Sequence, residues 1–241
     1  MSGLWSDARV LWHLALGQRR SGTLEQRLER FYAPQAERYD AFRERLLHGR
    51  AALIAELDPQ PGARVVELGA GTGRNLEFFG SRLAQLGSLQ LVDLCAALLE
   101  RARIRARGLP AVDVILGDAC AWRPDAQVDA VYFSYSLTMI PDWFRAIDNA
   151  LAMLKPGGRL GVVDFYVSRR DPAPDLARHS ALTRSFWPLW FAHDGVYPSP
   201  DHLPYLQAHC DQVHVEEHFG SVPYLPGVRV PYYLFVGRKG R

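Results

Sequence analysis

The residues most suggestive of chemistry lie in Glu67-Leu-Gly-Ala-Gly-Thr-Gly-Arg74. Glycines at 69, 71 and 73 leave backbone N–H groups bare toward a ligand, and the helical pattern opening at Asn75 sets a helix N-terminus behind them. Two details restrict the ligand. Arg74 stands where a dinucleotide fingerprint has its third glycine, and Glu67 precedes the first glycine by two residues. A carboxylate there repels a pyrophosphate and suits a cationic amino-acid group. Asp93 and Asp118 each close an apolar run. Asp93 lies about 20 residues past the loop, where a ribose-binding carboxylate is expected. Asp118 can accept from an exocyclic adenine amine while the Ala119 N–H donates to a ring nitrogen. This set predicts a site for S-adenosylmethionine. An NAD(P)-dependent oxidoreductase is the competing enzyme class, disfavoured by Arg74 and Glu67.

These side chains need elements to hold them. Ala63–Val66, Ser88–Val92, Val112–Leu116, Val128–Phe133 and a run near Arg159–Phe165 read as strands, with helices over Ala96–Arg107 and Trp143–Leu154. Alternation of this kind predicts right-handed βαβ units on a mostly parallel, Rossmann-like α/β sheet. Ligands then bind beyond the carboxyl ends of the strands, where Glu67, Asp93 and Asp118 fall. Two closing runs, Gln212–Val215 and Val230–Val236, predict an antiparallel edge hairpin. Before the sheet, Leu4–Leu16 carries apolar residues at helical spacing, Thr23 and Gln26 match a capping box, and Pro34 opens a helix reaching about Leu57. The expected division is a helical cap over 1–60, a cofactor-binding core over 61–167, a proline- and aromatic-rich insertion over 168–209, and the hairpin over 210–241.

With 241 residues and 48% hydrophobic content, the chain can bury the core of one α/β domain. A net charge of +2 argues against a nucleic-acid partner. Cys95, Cys120 and Cys210 have neither disulfide nor metal spacing, so the expectations are a reducing compartment and no metal. No apolar run approaches the roughly 18 residues of a membrane span. The expected location is the cytoplasm, free or peripheral to the inner membrane surface.

Glu67-x-Gly-x-Gly-x-Gly, Asp93, Gly117-Asp118 and Leu154-Lys-Pro-Gly-Gly158 together resemble the class I S-adenosylmethionine-dependent methyltransferases over about residues 60–167. The resemblance implies that Glu67, Gly69, Ala70, Gly71, Gly73 and Asn75 lie near the methionyl part. It further implies Asp93 and Leu94 at the ribose, Asp118 and Ala119 at adenine, with Tyr39 and Ser134 completing the cofactor site. S-adenosylhomocysteine is the implied product. A narrower resemblance rests on Phe31-Tyr-Ala-Pro-Gln-Ala-Glu-Arg-Tyr-Asp40, Tyr135–Asp142, Trp190-Phe-Ala-His-Asp194, Ser199–Tyr205 and Val230–Gly237. These look like the diacylglyceryl-homoserine N-methyltransferases of betaine-lipid synthesis. That family implies a lipid substrate with an amino-acid head group, three successive methylations, and an aminocarboxypropyl-transferase acting in the same pathway.

Methyl transfer to an amine asks the protein for position and electrostatics, and for removal of a proton from a group whose pKa is roughly 8 to 10. Tyr39, Tyr135 and His193 are the candidate catalytic residues. Tyr32, Tyr135, His193 and Asp194 are the candidate substrate contacts, the tyrosines offering faces to a methylated ammonium. The Leu4–Leu16 segment and the aromatic run Phe186–Phe191 are candidate lipid contacts. The same segments would serve a soluble small-molecule N- or O-methyltransferase as a lid.

Overall fold

A computed structural model describes residue 23, residues 45–223 and residues 225–240. The expected helices over Leu4–Leu16 and from Thr23, together with Tyr32 and Tyr39, lie outside the described residues. The described part of the next expected helix is α1 (Arg50–Leu57). It does not run on unbroken from Pro34, because Gly49 turns the chain at φ 77° immediately before it. A β-carbon at Gly49 would come within 2.9 Å of the Tyr232 ring, so the break also lets the chain pass close to the sheet.

Seven strands follow: β1 (Arg64–Leu68), β2 (Ser88–Asp93), β3 (Val112–Leu116), β4 (Val128–Ser134), β5 (Leu154–Phe165), β6 (Asp211–Ser221) and β7 (Arg229–Arg238). They form one sheet in the order β3-β2-β1-β4-β5-β7-β6. Every neighbour pair up to β5 is parallel, and β7 runs antiparallel to both β5 and β6. The expected parallel sheet and edge hairpin are both present. Lys155-Pro-Gly-Gly158 lies inside β5 rather than ahead of it, and the β4–β5 register shifts opposite it, between Val128 and Ala130.

Strand periodicity divides the core between two layers. On β1 and β4, Val65, Ala130 and Tyr132 join the cluster that includes Leu53, Ile54 and Leu57 of α1 and Leu99 and Ala102 of α3 (Ala96–Arg105). Val66, Val131 and Phe133 point the other way, to Ala146, Ile147, Ala150 and Met153 of α4 (Trp143–Met153) and Leu203 and Leu206 of α6 (His202–His209). A four-residue α2 (Leu76–Phe79) follows the glycine loop, and α5 (Ala181–Phe191) turns Trp187 and Phe191 into the first layer. The strand order reverses between β1 and β4. Crossovers leave on opposite sides there, opening a crevice at the strand carboxyl ends.

Candidate active site

That crevice holds a cavity of about 290 Å³. Its walls include Gly69, Gly71, Asp93, Leu94, Asp118 and Ala119, so half of the twelve expected cofactor residues come together from three separate βα turns. Asp93 organises the nearer wall. Its Oδ2 accepts from the Gly71 N–H (2.8 Å) and its Oδ1 from the Cys95 N–H (2.8 Å), tying the glycine loop to the next turn. Asp118 Oδ1 accepts from the Cys120 N–H at 2.8 Å, and the Ala119 carbonyl is held by Asn149 Nδ2 at 2.9 Å.

Of the other expected residues, the five that are described, Glu67, Ala70, Gly73, Asn75 and Ser134, are not among the residues lining the cavity. Glu67 is fully buried, with Oε1 accepting from Asn75 Nδ2 (2.6 Å) and Oε2 from the Tyr132 hydroxyl (2.7 Å). Burial pushes its pKa up to about 7 against the pull of those two donors. Its oxygens hold β1, β4 and the end of the glycine loop together, and Asn75 serves that same bond. The Ala70 N–H donates to the Val92 carbonyl at 3.0 Å. Gly73 packs on α3, where an added β-carbon would lie 3.1 Å from Ala102 Cβ. Among the described residues Ser134 Oγ is buried without a hydrogen-bond partner.

Tyr135 lies on the cavity wall, but its hydroxyl donates to the His48 carbonyl at 2.7 Å. Burial raises its pKa well above the usual phenol value. The phenol is therefore held as a neutral donor at the pH of ordinary assays. Its ring meets Phe165 edge-on at 4.6 Å, and Phe165 stacks on Phe191 at 4.8 Å. Asp194 ends the short 3-10 turn Ala192–Asp194 after α5; the side chain of His193 lies outside the described residues. Among the described residues Asp194 Oδ1 is buried without a hydrogen-bond partner, and burial pushes the carboxyl up to about 7.

Sequence reasoning missed the far wall: Ser136, Met139, Ile140, Pro141, Asp142, Arg145 and Cys120. All but Cys120 follow β4, where the only local signal was the run Tyr135–Asp142. Burial first, then the neighbouring carboxylates Asp118 and Asp142, pushes the Cys120 thiol up to about 11. Away from the cavity, Glu56, His214 and Glu216 bring potential metal-ligand atoms within 4.8 Å of one another at the surface.

The charges on this wall test the expected cofactor. Asp93, Asp118 and Asp142 face the cavity, with Arg145 as the only cation among its described lining residues. This balance repels a pyrophosphate and accommodates a sulfonium and hydroxyl donors. The apolar side chains of Leu94, Leu98, Met139 and Ile140 leave room for a flat base. Fold and donor set together define a Rossmann-like methyltransferase. When bound, S-adenosylmethionine supplies a methyl group already activated by its sulfonium. Asp93 would hold its ribose, the turn at Asp118 and Ala119 its base, and Gly69 and Gly71 its amino-acid arm.

Comparison with known proteins agrees. The methyltransferase domain family model matches residues 65–158. The ubiquinone/menaquinone biosynthesis C-methyltransferase of Caulobacter vibrioides is 31% identical, over 66% of this chain and 69% of its own length. The trans-aconitate 2-methyltransferase of an Azoarcus species is 28% identical, over 73% of this chain and 72% of its own. Of some other curated methyltransferases the chain spans only 46% to 59%. In fold, a Haemonchus contortus phosphoethanolamine N-methyltransferase solved with S-adenosyl-L-methionine superimposes with a TM-score of 0.71 at 14% identity, covering 92% of this chain and 61% of that one. The chain belongs to the class I S-adenosylmethionine-dependent methyltransferases.

Proposed function

We propose that this chain methylates the amine of a lipid head group, taking diacylglyceryl-homoserine to its trimethylated betaine lipid by successive transfers. The observation that carries this reading is Asp194. A buried carboxylate oxygen without a partner is costly, and an ammonium is the natural group to compensate it. With its own pKa near 7, Asp194 can also take the proton that the amine must lose before attack. The transfer is uphill by roughly 1 to 3 pKa units, or about 1 to 4 kcal/mol, small beside a methyl-transfer barrier. The rings of Phe191, Phe165 and Tyr135 run in contact from the end of α5 to the cavity, and aromatic faces attract methylated ammonium groups.

A lipid acceptor also suits the outer face of α5. Leu182 and Leu189 are 77% and 72% exposed, and Phe186 and Trp190 share their stripe. With Trp187 and Phe191 buried on the other side, the stretch Phe186–Phe191 is apolar on both faces, as expected of a segment covered on both sides. No described helix is long and apolar enough to cross a membrane, so the contact proposed is with the bilayer surface.

The test is mass spectrometry of lipids from cells that express the protein and contain diacylglyceryl-homoserine. Increments of one, two and three methyl groups are expected, and Asp194→Asn should slow their appearance by about 100-fold, the usual scale for loss of a general base. Absence of all three increments sinks the lipid reading. Methylation of a soluble amine by the same preparation would then favour the small-molecule alternative.

A further inference from the structure

Asp164, at the carboxyl end of β5, is fully buried and stands behind the cavity wall. Its carboxylate accepts from the Thr138 N–H (3.1 Å), the Thr138 hydroxyl (2.8 Å) and the Phe165 N–H (2.8 Å), and the Leu137 N–H also favours its charge. Thr138 sits in the middle of the 3-10 turn Leu137–Met139, between the wall residues Ser136 and Met139. The same threonine reaches the other side of the site. Its carbonyl accepts from the Tyr197 N–H at 2.8 Å, three residues past Asp194. The start of the turn is fixed separately, through Tyr135 N–H to the Val163 carbonyl and Ser136 Oγ to the Leu68 carbonyl. Both polar bonds that fasten the side chain and amide of Thr138 end on Asp164.

We infer that Asp164 is a positioning residue that couples the two halves of the site, so that a ligand in the cofactor cavity orders the acceptor-side segment 192–198 through Thr138. The carboxylate suits this task because several donors converge on it and it presents only acceptors. An asparagine of the same shape would set its own N–H group against one of those donors. Thr138 is held on both sides by bonds of ordinary length, so a shift of the wall that moves Thr138 also moves Tyr197. The coupling does not depend on which acceptor is methylated.

Hydrogen exchange of the full chain, with and without S-adenosylhomocysteine, tests this. In the wild type the ligand should slow exchange at the glycine loop and, by about tenfold, at residues 192–198, the scale of a locally stabilised segment. Asp164→Asn and Thr138→Val should keep the slowing at residues 69–73 and lose it at 192–198, whereas Thr138→Ser, which restores the hydroxyl, should recover it. A residue of merely structural importance would lower the unfolding temperature without uncoupling the two segments. The inference is overturned if 192–198 are unaffected by ligand in the wild type. It is equally overturned if they are slowed to the same extent in Thr138→Val, a test that stands even where Asp164→Asn fails to fold.

Discussion

Glu67 attracts attention in the sequence as an acid beside a glycine loop, yet its oxygens are spent on Asn75 and Tyr132 behind the wall. Its energetics follow from that placement. With the folded pKa near 7 and the reference value 4.5, the folded state holds the proton more tightly, so stability is greatest below pH 4.5 and falls as pH rises toward 7. The loss above that window is on the order of 3 kcal/mol. Glu67→Gln removes the ionisation. Asn75 Oδ1 has no partner among the described residues, so a flip of that amide can accept from the new side-chain N–H, while Tyr132 donates to the new carbonyl. The melting temperature of Glu67→Gln relative to wild type should therefore rise between pH 5 and pH 8. A constant difference across that range would mean that Glu67 ionises normally.

At the scale of elements, the glycine loop combines two jobs that substitution can separate. Gly69 has φ 74°, and a β-carbon there would lie 2.4 Å from Ser136 Cβ, displacing a wall residue whose hydroxyl holds the Leu68 carbonyl. Gly71 has φ 56° but meets only Leu98 Cδ1, at 3.9 Å. Both changes to alanine incur backbone strain of about 1 to 2 kcal/mol. Gly69→Ala adds a clash and should lower the melting temperature clearly more than Gly71→Ala. Gly71→Ala places a methyl group on the cavity wall and should weaken S-adenosylhomocysteine binding, measured by calorimetry, beyond its effect on stability. Equal melting temperatures for the two would contradict this packing.

Across the whole molecule, three carboxyls with pKa values near 7, Glu67, Asp164 and Asp194, make folding less favourable as pH rises to about 7. Two buried imidazoles act in the opposite direction. Burial lowers His179, and lowers His202 to about 4, so the unfolded chain binds more protons below the ordinary histidine value of 6.5 and stability rises with pH through that lower window. Above pH 6.5 only the carboxyls remain in play. Three carboxyls outweigh two imidazoles between about pH 4.5 and 6.5, so the melting temperature should fall from pH 5 to pH 8, and a rise from pH 6.5 to 8 would contradict these burials.

The strands, the edge hairpin and the acids Asp93 and Asp118 were legible because they depend on local pattern: period-two apolar runs, turn residues, and the rule that ligands gather at strand carboxyl ends. The break at Gly49 was not, since a glycine within a helical pattern is no terminator unless packing, here against Tyr232, makes it one. The far wall of the cavity and the role of Asp164 were also hidden. They depend on β4 lying beside β1 and β5 beside β4, pairings between residues far apart in the chain. By itself the sequence determined the fold, the cofactor class and the near wall of the site. Tertiary structure alone decided which carboxylates face the cavity and which are locked behind it, because that depends on which donors the folded chain brings within hydrogen-bond reach.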